Sequence, residues 1–402
     1  MNVPDLAVDV GPGQGDMPNA PSGGHGAGAG MPLDRAEAFD WLRLARSRNV
    51  GPGSFRRLLS RYGSAGAAVE ALPALAARGG RRDYVPADPA AVAAELEAAA
   101  ACGARMLRLG FDAYPAALAR IGDAPPLLWA SGNPALATRP CTALVGARNA
   151  SALGLRMAGQ LAGDLGAAGH VIVSGLARGI DTAAHQAAIA TGTIAVLAGG
   201  LDQVYPEENT ALAARIAAEG LLLSEAAMGS TATARHFPRR NRIVSGLCAG
   251  VVLIEAAARS GSLVTARTAL DQGREVMAVP GAPLDARAEG CNQLIRQGAA
   301  LIRHAEDVQE ALAMPSVDGF AEPVLAWLPA PDSAPPEGLV ERLVDLIGPA
   351  PVGLDDLAQA SRAEMPSLMQ ALTELDLAGR IERRPGGLIA LVAEPGPAPP
   401  TV

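Results

Sequence analysis

Residues 101–315 predict an α/β fold, in which a doubly wound, mostly parallel sheet is covered by helices on both faces. Seven short apolar runs alternate there with helical stretches, and several of them are continuous Val/Ile/Leu segments that end in glycine. Continuous apolar runs are typical of parallel strands buried on both faces, and strand–helix alternation at this spacing is typical of doubly wound sheets. The predicted strands are residues 106–110, 141–147, 170–175, 193–199, 220–225, 250–256 and 275–281.

Composition supports this fold class and limits the function. The chain has 402 residues, too many for one ordinary domain, and is 49% hydrophobic but only 3% aromatic. An apolar content made mostly of Ala, Leu and Val favours helices and buried parallel strands over a β-sandwich. All 33 basic residues are arginine and the formal net charge is −8, which excludes a protein that coats nucleic acid with its whole surface. One basic groove on an acidic body remains compatible with this charge.

The cysteines and the N-terminal sequence indicate a cytoplasmic protein. Cys102, Cys141, Cys248 and Cys291 are far apart and form no C-x-x-C pair, so we expect reduced thiols and no metal site. No apolar stretch is long enough to span a membrane, and residues 1–32 lack the basic and apolar regions of a signal peptide. We expect a disordered tail over residues 1–32, no membrane insertion and no cofactor.

Two smaller domains flank the predicted sheet. Residues 33–100 are helical and rich in Ala and Leu, and the segment 49–63 (NVGPGSFRRLLSRYG) joins a glycine-proline hairpin to a basic helix. Residues 316–337 are rich in proline and predict a linker. Residues 338–392 have three helical patterns and a glycine-turned basic hairpin, which predict a winged helix-turn-helix, and residues 393–402 form a tail.

A basic segment precedes the strand predicted at 250–256. Four arginines occur within eight positions, and no acidic residue occurs between Glu225 and Glu255. Guanidinium groups concentrated beside a strand-to-helix turn predict a surface that receives a polyanion. The four residues are Arg235, Arg239, Arg240 and Arg242.

Four loops at strand ends could hold phosphate groups. Glycines let backbone amides curl round an anion, and a helix N-terminus adds partial positive charge. Any one such loop is explained by the bend it makes, but the carboxyl ends of parallel strands meet at one sheet edge. Together they predict a line of phosphate pockets with little base-specific readout. The loops are 145–151 with Gly146 and Arg148, 174–185 with Gly175, Arg178 and Gly179, 198–209, and the Ser260–Gly261–Ser262 turn.

The titratable residues suggest no catalytic constellation, and we expect no enzymatic activity. His185 is expected to pack within a helix, and His236 to contact phosphate. Glu255 could be a general base, but we favour a role in holding the Ser260–Ser262 turn or an arginine. Asp181 is expected to be a helix N-cap, and the absence of Lys excludes an orthodox P-loop.

Seven motifs occur along the chain in the order VGARNAS, SGLARGIDTAAH, GTIAVLAGGLDQVYPEEN, FPRRNRIVSGL, SGSLVTA, GREVMAVPG and GCNQLIRQGA. This order resembles that of the DNA-processing protein A (DprA/Smf) family. The resemblance implies an extended Rossmann core, preceded by a small helical domain of the sterile-alpha-motif or helix-hairpin-helix kind and followed in some members by a winged helix. It covers nearly everything from residue 33 to 392.

The resemblance also implies a function and a set of site residues. Members of the family bind incoming single-stranded DNA during natural transformation, protect it, load the RecA recombinase onto it and act as homodimers through the Rossmann domain. Phe237 matches the family's aromatic residue and could either stack a base or anchor its loop. The phosphate-binding positions of the family correspond to Arg148, Ser174, Gly175, Arg178, Arg239, Arg240, Asn241 and Arg242. Two departures are small: Ala147 replaces a serine found in many members, and Arg178 replaces a lysine found in others.

The flanking domains allow weaker expectations. The hairpin at 49–63 could hold a phosphate, with Arg56, Arg57 and Arg61 on the following helix, or it could be a tight helical corner. In the winged helix, Arg380, Arg383 and Arg384 could follow a phosphate backbone. However, the segment 365–379, at the position of a recognition helix, has acidic and amide side chains but no basic one. A protein-interaction or weak duplex-binding role is therefore favoured. These polar residues are Gln370, Glu374 and Asp376.

Two other functions remain open. The predicted core is distantly similar to nucleotide-processing phosphoribohydrolases, although the strand ends at 252–262 and 278–286 lack their P-G-G-x-G-T-x-x-E signature. A transcription regulator that binds a particular duplex through the winged helix is the other alternative.

Overall fold

A computed structural model describes residues 35–111, 113–313, 335–348, 350–384 and 387–392. The predicted N-terminal tail, residues 316–334 of the predicted linker and the predicted C-terminal tail lie outside the described residues. Among the described helices, none is both long and apolar enough to cross a membrane.

The N-terminal part is a four-helix bundle that packs against the central sheet. In the first helix, Ala38, Trp41 and Leu42 form a buried face at helical spacing. The second helix has Pro52 at its first position, where a missing amide hydrogen costs least, and ends at Gly63 with a left-handed φ of 73°. The helices are α1 (Arg35–Arg46), α2 (Pro52–Tyr62), α3 (Ala65–Arg78) and α4 (Pro89–Ala101).

Two tryptophans fix the bundle on the sheet. Trp41 donates its indole N–H to the carbonyl of Pro126 (3.0 Å), and Trp129 donates its own to Glu95 of α4 (2.7 Å). Both indoles are buried, so each pairs its polar atom while its rings fill the apolar space between the bundle and the sheet.

The central part has nine strands and eight α-helices. The strands are β1 (Arg105–Arg108), β2 (Leu127–Gly132), β3 (Cys141–Gly146), β4 (Val171–Ser174), β5 (Thr193–Val196), β6 (Leu221–Ser224), β7 (Gly250–Glu255), β8 (Glu275–Ala278) and β9 (Ala300–Leu301). The helices are α5 (Ala116–Ala119), α6 (Ala152–Ala167), α7 (Ile180–Ala188), α8 (Thr210–Glu219), α9 (His236–Gly246), α10 (Ser262–Asp271), α11 (Glu289–Arg296) and α12 (Ala305–Ala313). Short 3₁₀ turns cover Pro134–Thr138 and Glu207–Asn209.

The strands form one sheet in the order β1-β2-β6-β5-β4-β3-β7-β8-β9. All pairs from β6 to β9 along this order are parallel, and the β1–β2 and β2–β6 pairs are antiparallel. The predicted mostly parallel, doubly wound sheet is confirmed, and each of the seven predicted runs overlaps a strand. Strand β2 and the two-residue strand β9 were not predicted.

Alternate residues of the strands pack into apolar layers on opposite faces of the sheet. In β3, Ala143 and Val145 belong to the layer that contains residues of α9, α10 and α11, whereas Leu144 belongs to the layer that contains residues of α6, α7 and α12. Because both faces are covered by helices, the strands are apolar throughout, which is why they could be predicted as continuous runs.

The C-terminal part has the predicted winged-helix arrangement of three helices and a small antiparallel sheet. The sheet order is β10-β12-β11, so the first strand, which the sequence analysis missed, pairs with the last. The elements are α13 (Leu339–Leu346), β10 (Val352–Gly353), α14 (Leu354–Ser361), α15 (Met365–Ala378), β11 (Ile381–Arg384) and β12 (Leu388–Leu391).

Candidate nucleic-acid interface

The loops after β3 and β4 lock together at the carboxyl edge of the sheet. Gly179 has a φ of 73°, and a Cβ there would lie 2.3 Å from the carbonyl oxygen of Ala147. A Cβ on Gly146 would lie 2.6 Å from Cγ1 of Ile180, whose amide donates to the same Ala147 carbonyl (3.3 Å). These contacts require glycine at both positions, and they bring the backbone of Arg148 against the start of α7.

An exposed cation and two aromatic rings lie together beside these loops. The guanidinium carbon of Arg148 is 4.9 Å from the centre of the Phe237 ring, and the Phe237 and Tyr205 ring centres are 6.0 Å apart at 64°. Arg148 is exposed, Tyr205 is 53% exposed and Phe237 is partly exposed. We call Arg148, Tyr205 and Phe237 the aromatic platform. The bases of a single strand stack on aromatic rings of this kind, and a guanidinium held on a ring face can still contact a phosphate.

Tyr205 lies in the loop 198–209, which was predicted to hold a phosphate, but it was not among the predicted site residues. The available signal was a tyrosine in a polar loop, directly after a glycine-rich strand end, in a chain with only four tyrosines. Its contact with Phe237 could not be predicted, because Tyr205 lies in the loop after β5 and Phe237 in the first turn of α9, which follows β6.

The basic segment forms helix α9, and this divides its arginines between two environments. Arg235 and Arg239 are exposed, whereas Arg240 and Arg242 are each only 8% exposed. The prediction that all four crowd one accessible surface is therefore wrong for Arg240 and Arg242. Asn241, between them, is partly exposed.

Arg242 is held by carboxylates instead of facing solvent. Its Nη2 donates to both carboxylate oxygens of Glu225 at 2.6 Å, and its Nε lies 3.5 Å from Asp123 Oδ2. Its charge therefore fixes α9 against the end of β6. The expected phosphate contact is replaced by an internal ion pair.

Arg240 lies beneath the loop after β4. Its Nη1 donates to the carbonyl of Val196 (3.2 Å) and would be only 1.2 Å from a Cβ on Gly175. The amides of Gly175 and Ala177 donate to Asp181 Oδ2 at 3.1 and 3.2 Å. These amides were predicted to cradle an anion from outside, but the carboxylate of the chain's own Asp181 accepts their hydrogen bonds.

Three further residues of this loop differ from their predicted roles. Ser174 is fully buried and donates to the carbonyl of Leu144 (2.6 Å), so it does not line an open pocket. Asp181 lies inside α7, and Gly179 occupies the N-cap position predicted for it. Arg178 is exposed but its Nη2 donates to Glu208 Oε2 at 2.6 Å. An exposed pair of this kind contributes at most about 1 kcal/mol, so a phosphate can exchange with Glu208.

His185 is packed, as the sequence analysis expected. Its Nδ1 lies 2.7 Å from Thr193 Oγ1, and the side chain is fully buried. Burial, and to a smaller extent the positive charge of Arg240, lower the pKa of His185 to about 3. A neutral, buried imidazole does not serve as a proton carrier for a substrate at the surface.

Glu255 has the structural role that was favoured for it, but its partner is different. Its carboxylate accepts from the amide of Ser151 (2.9 Å) and from the Ser151 hydroxyl (2.5 Å), at the start of α6. A Cβ on Gly154 would lie 2.6 Å from the Glu255 carboxyl carbon, so glycine is required there. Glu255 therefore fixes the loop that carries Arg148, whereas we had predicted the Ser260–Ser262 turn or an arginine.

The Ser260–Gly261–Ser262 turn is partly exposed at the start of α10. The two serine hydroxyl oxygens are 2.7 Å apart, and the Ser262 amide donates to Ser260 Oγ (3.3 Å). Its other described hydrogen bonds join it to Ala257 just before the turn and to the first turn of α10. Its contact with a ligand stays a prediction.

Two hollows adjoin this edge. A cavity of about 290 Å³ lies between the bundle and the central domain. Its lining on the side of the central domain includes Arg239, His236 and Ser230. An open cleft of about 800 Å³ runs between α6 and α7, starting at Arg148 and passing Arg156. Within the part of the chain that the structure describes, no group of three His, Cys, Asp or Glu side chains could hold a metal ion.

Family models match all three parts of the chain. Residues 105–313 match the model described as DNA recombination-mediator protein A. Residues 35–98 match a DprA-like N-terminal HHH domain, and residues 328–387 match a DprA winged helix domain.

Individual proteins and a solved structure are similar to the chain. The DNA processing protein DprA of Streptococcus pneumoniae (strain ATCC BAA-255 / R6) is 47% identical over 203 residues, which cover 49% of this chain and 70% of that protein. Protein Smf of Escherichia coli (strain K12) is 38% identical over 289 residues, which cover 69% of this chain and 75% of that protein. The X-ray structure of DNA processing protein A from Streptococcus pneumoniae superposes with a TM-score of 0.59 and 36% identity, and covers 70% of this chain and 98% of that one.

Proposed function

The chain belongs to the DNA-processing protein A family, and on that premise we propose that it binds single-stranded DNA without sequence preference at the carboxyl edge of its sheet. One observation carries the proposal. The aromatic platform presents two rings and a guanidinium to solvent, and Arg148 forms no ion pair among the described residues.

The chemistry of the platform favours a single strand over a duplex. Bases of a single strand are free to stack on Phe237 or Tyr205, whereas bases of a duplex are already stacked on each other. Arg148 and Arg239 supply charge for the phosphates, and the cleft along α6 and α7 provides a path past Arg156. Stacking on Phe237 or Tyr205 is available to every base, so binding is expected to depend little on sequence.

We further propose that the bound strand is protected and passed to the RecA recombinase during natural transformation, without a chemical step on the DNA. Two copies pair through the central domain in this proposal. The absence of chemistry is supported by the two residues best suited to it, since His185 is buried and Glu255 is held by Ser151.

Fluorescence anisotropy with a labelled oligothymidylate and a matched duplex, across a salt series, tests the proposal. We expect tighter binding of the single strand and a slope of about −0.7 in log affinity against log salt for each phosphate contacted. Arg148→Ala and Arg239→Ala should weaken binding to all sequences alike. Arg215→Ala is the matched control, because Arg215 is an exposed arginine on α8 paired with Glu219.

Equal or tighter binding of the duplex, or binding that is insensitive to salt, would contradict the proposed single-strand site. The RecA step is tested separately. The rate at which RecA assembles on a strand already coated by a single-strand-binding protein should rise when the full-length chain is added, and an unchanged rate would contradict this part alone.

A further inference from the structure

Helix α15 is buried on two opposite sides. One side packs into the core of the winged helix, and the other side has the same i, i+3, i+4, i+7 spacing but a polar composition. The first set is Leu368, Ala371, Leu372 and Leu375. The second set is Gln370, Thr373, Glu374 and Leu377, all of which are buried. A helix buried in this way lies between two bodies, and the second body is the N-terminal bundle.

The polar side of α15 binds arginines of the bundle. Glu374 is 1% exposed and accepts from Arg78 Nε of α3 at 2.9 Å. Arg57 of α2 donates its Nε to Thr373 Oγ1 at 2.7 Å. Burial lowers the pKa of Arg57 to about 10, with the nearby Arg383 as a second cause. Arg57, which was expected on a phosphate-binding face, is therefore only partly exposed and binds the winged helix.

The backbones of the two domains also meet. A Cβ on Gly79, just after α3, would lie 2.1 Å from the carbonyl oxygen of Glu374, so only glycine allows this approach. Asn49 donates its side-chain amide to the carbonyl of Leu377 (3.2 Å), and the fully buried Leu377 belongs to the apolar cluster of the bundle. Ser54 donates to Asp376 Oδ2 at 3.3 Å.

The charges of the two surfaces are complementary. Helix α15 carries Glu374 and Asp376 and no basic residue, and the bundle offers Arg57 and Arg78 opposite them. In DNA-binding winged helices the corresponding helix enters the major groove, where carboxylates would face phosphates of the same sign. The side of α15 that would enter the groove is the side that the bundle occupies.

We propose that α15 is a protein-docking helix whose partner is the N-terminal bundle of its own chain. Through α15 the winged helix binds the N-terminal bundle, so that the two flanking domains are joined. It does not read duplex DNA. This goes beyond the single-strand site, because none of its contacts involves the aromatic platform.

The test uses the full-length chain with a specific protease site inserted within residues 316–334. After cleavage, the C-terminal fragment should stay bound to the remainder during size-exclusion chromatography at low micromolar concentration. Glu374→Arg should raise the apparent dissociation constant of the fragment at least tenfold. Arg78→Glu combined with Glu374→Arg should restore the wild-type value. Glu382→Arg is the matched control, since Glu382 pairs with Arg384 of the same domain on an exposed surface.

Arg57→Ala gives a second route in case a charge reversal prevents folding, and it should also weaken retention at least tenfold. Loss of the fragment from the wild-type protein after cleavage would overturn the proposal, as would full retention in both Glu374→Arg and Arg57→Ala. When differently tagged copies are mixed and then cleaved, co-elution of the C-terminal fragment of one copy with the remainder of the other immediately after cleavage would place α15 on a second copy and would overturn docking within one chain.

Discussion

Arg148, in the loop after β3, and Phe237, in the first turn of α9, meet with the guanidinium carbon 4.9 Å from the ring centre. The contact holds the cation without neutralising it, because the ring contributes only a partial negative face. A carboxylate partner, as Arg178 has in Glu208, would leave less charge for a phosphate. The site therefore depends on a ring that both orients a cation and offers a stacking surface.

Replacing Phe237 by alanine should weaken binding to single-stranded DNA by about 1–3 kcal/mol, the usual contribution of one stacked base. Phe237→Tyr keeps the ring and should bind nearly as well as the wild type. Anisotropy titrations of both variants check this, together with urea unfolding. If Phe237→Ala unfolds more easily and binds with unchanged affinity, the ring is an anchor for its loop and the stacking role is excluded.

The arginines of α9 should separate into a binding class and a folding class. Arg242→Ala leaves Glu225 without its partner in a largely buried position, which should lower the free energy of unfolding by about 3 kcal/mol. Arg239→Ala removes an exposed side chain. This variant should change the free energy of unfolding by less than about 0.5 kcal/mol but should weaken DNA binding. Urea denaturation followed by circular dichroism distinguishes the two. Equal stability losses would contradict the assignment.

Glycine should be indispensable in the loop after β4. The methyl group of Gly175→Ala would overlap the guanidinium of Arg240, and Gly179→Ala would place a side chain at φ 73° against the Ala147 carbonyl. We expect each change to cost at least about 2 kcal/mol, because a buried side chain or a backbone segment must move. Gly261→Ala is the control, since nothing lies within 4 Å of its Cβ position and its φ is −62°. Midpoints of thermal unfolding measure the difference.

Stability should fall as pH falls from about 7 to 5, and His185 should account for part of this loss. The folded protein holds the pKa of His185 near 3, whereas the unfolded chain protonates it near its ordinary value of 6.5. Between these values the unfolded state binds more protons, so acid favours unfolding, by about 2 kcal/mol from pH 7 to pH 5. His185→Gln should flatten the pH dependence of urea unfolding in this range. An unchanged slope would contradict the prediction.

The fold was largely predictable because its strands are buried on both faces. Short apolar runs, several of them ending in glycine, located every strand from β3 to β8. Strand β2 was missed because its residues LLWASG follow two prolines and pair antiparallel with both neighbours, which gives no strand–helix alternation. Strand β9 has two residues and gives no pattern to detect.

The meeting of the candidate loops at one edge could be predicted from the sequence, but the contacts of their individual residues could not. The meeting of Gly146, Arg148 and Gly179 at one sheet edge followed from the parallel strands. The burial of Arg240 had a signal, since Arg240, Ile243, Val244 and Leu247 follow helical spacing in a segment that was treated as a linear cluster. The burial of Arg242 gave no signal in the sequence, because its partners Glu225 and Asp123 come from other parts of the chain.

The contact between Gly79 and Glu374 also bears on how the chain is made. A ribosome adds about 5–20 residues each second, so the bundle leaves it tens of seconds before α15. During that interval the place of Leu377 in the bundle is empty and Arg78 has no Glu374 to pair with. The surface of the bundle is therefore complete only after α15 has been synthesised. A nascent chain stalled within residues 316–334 exposes an apolar and basic face of the bundle that α15 later covers.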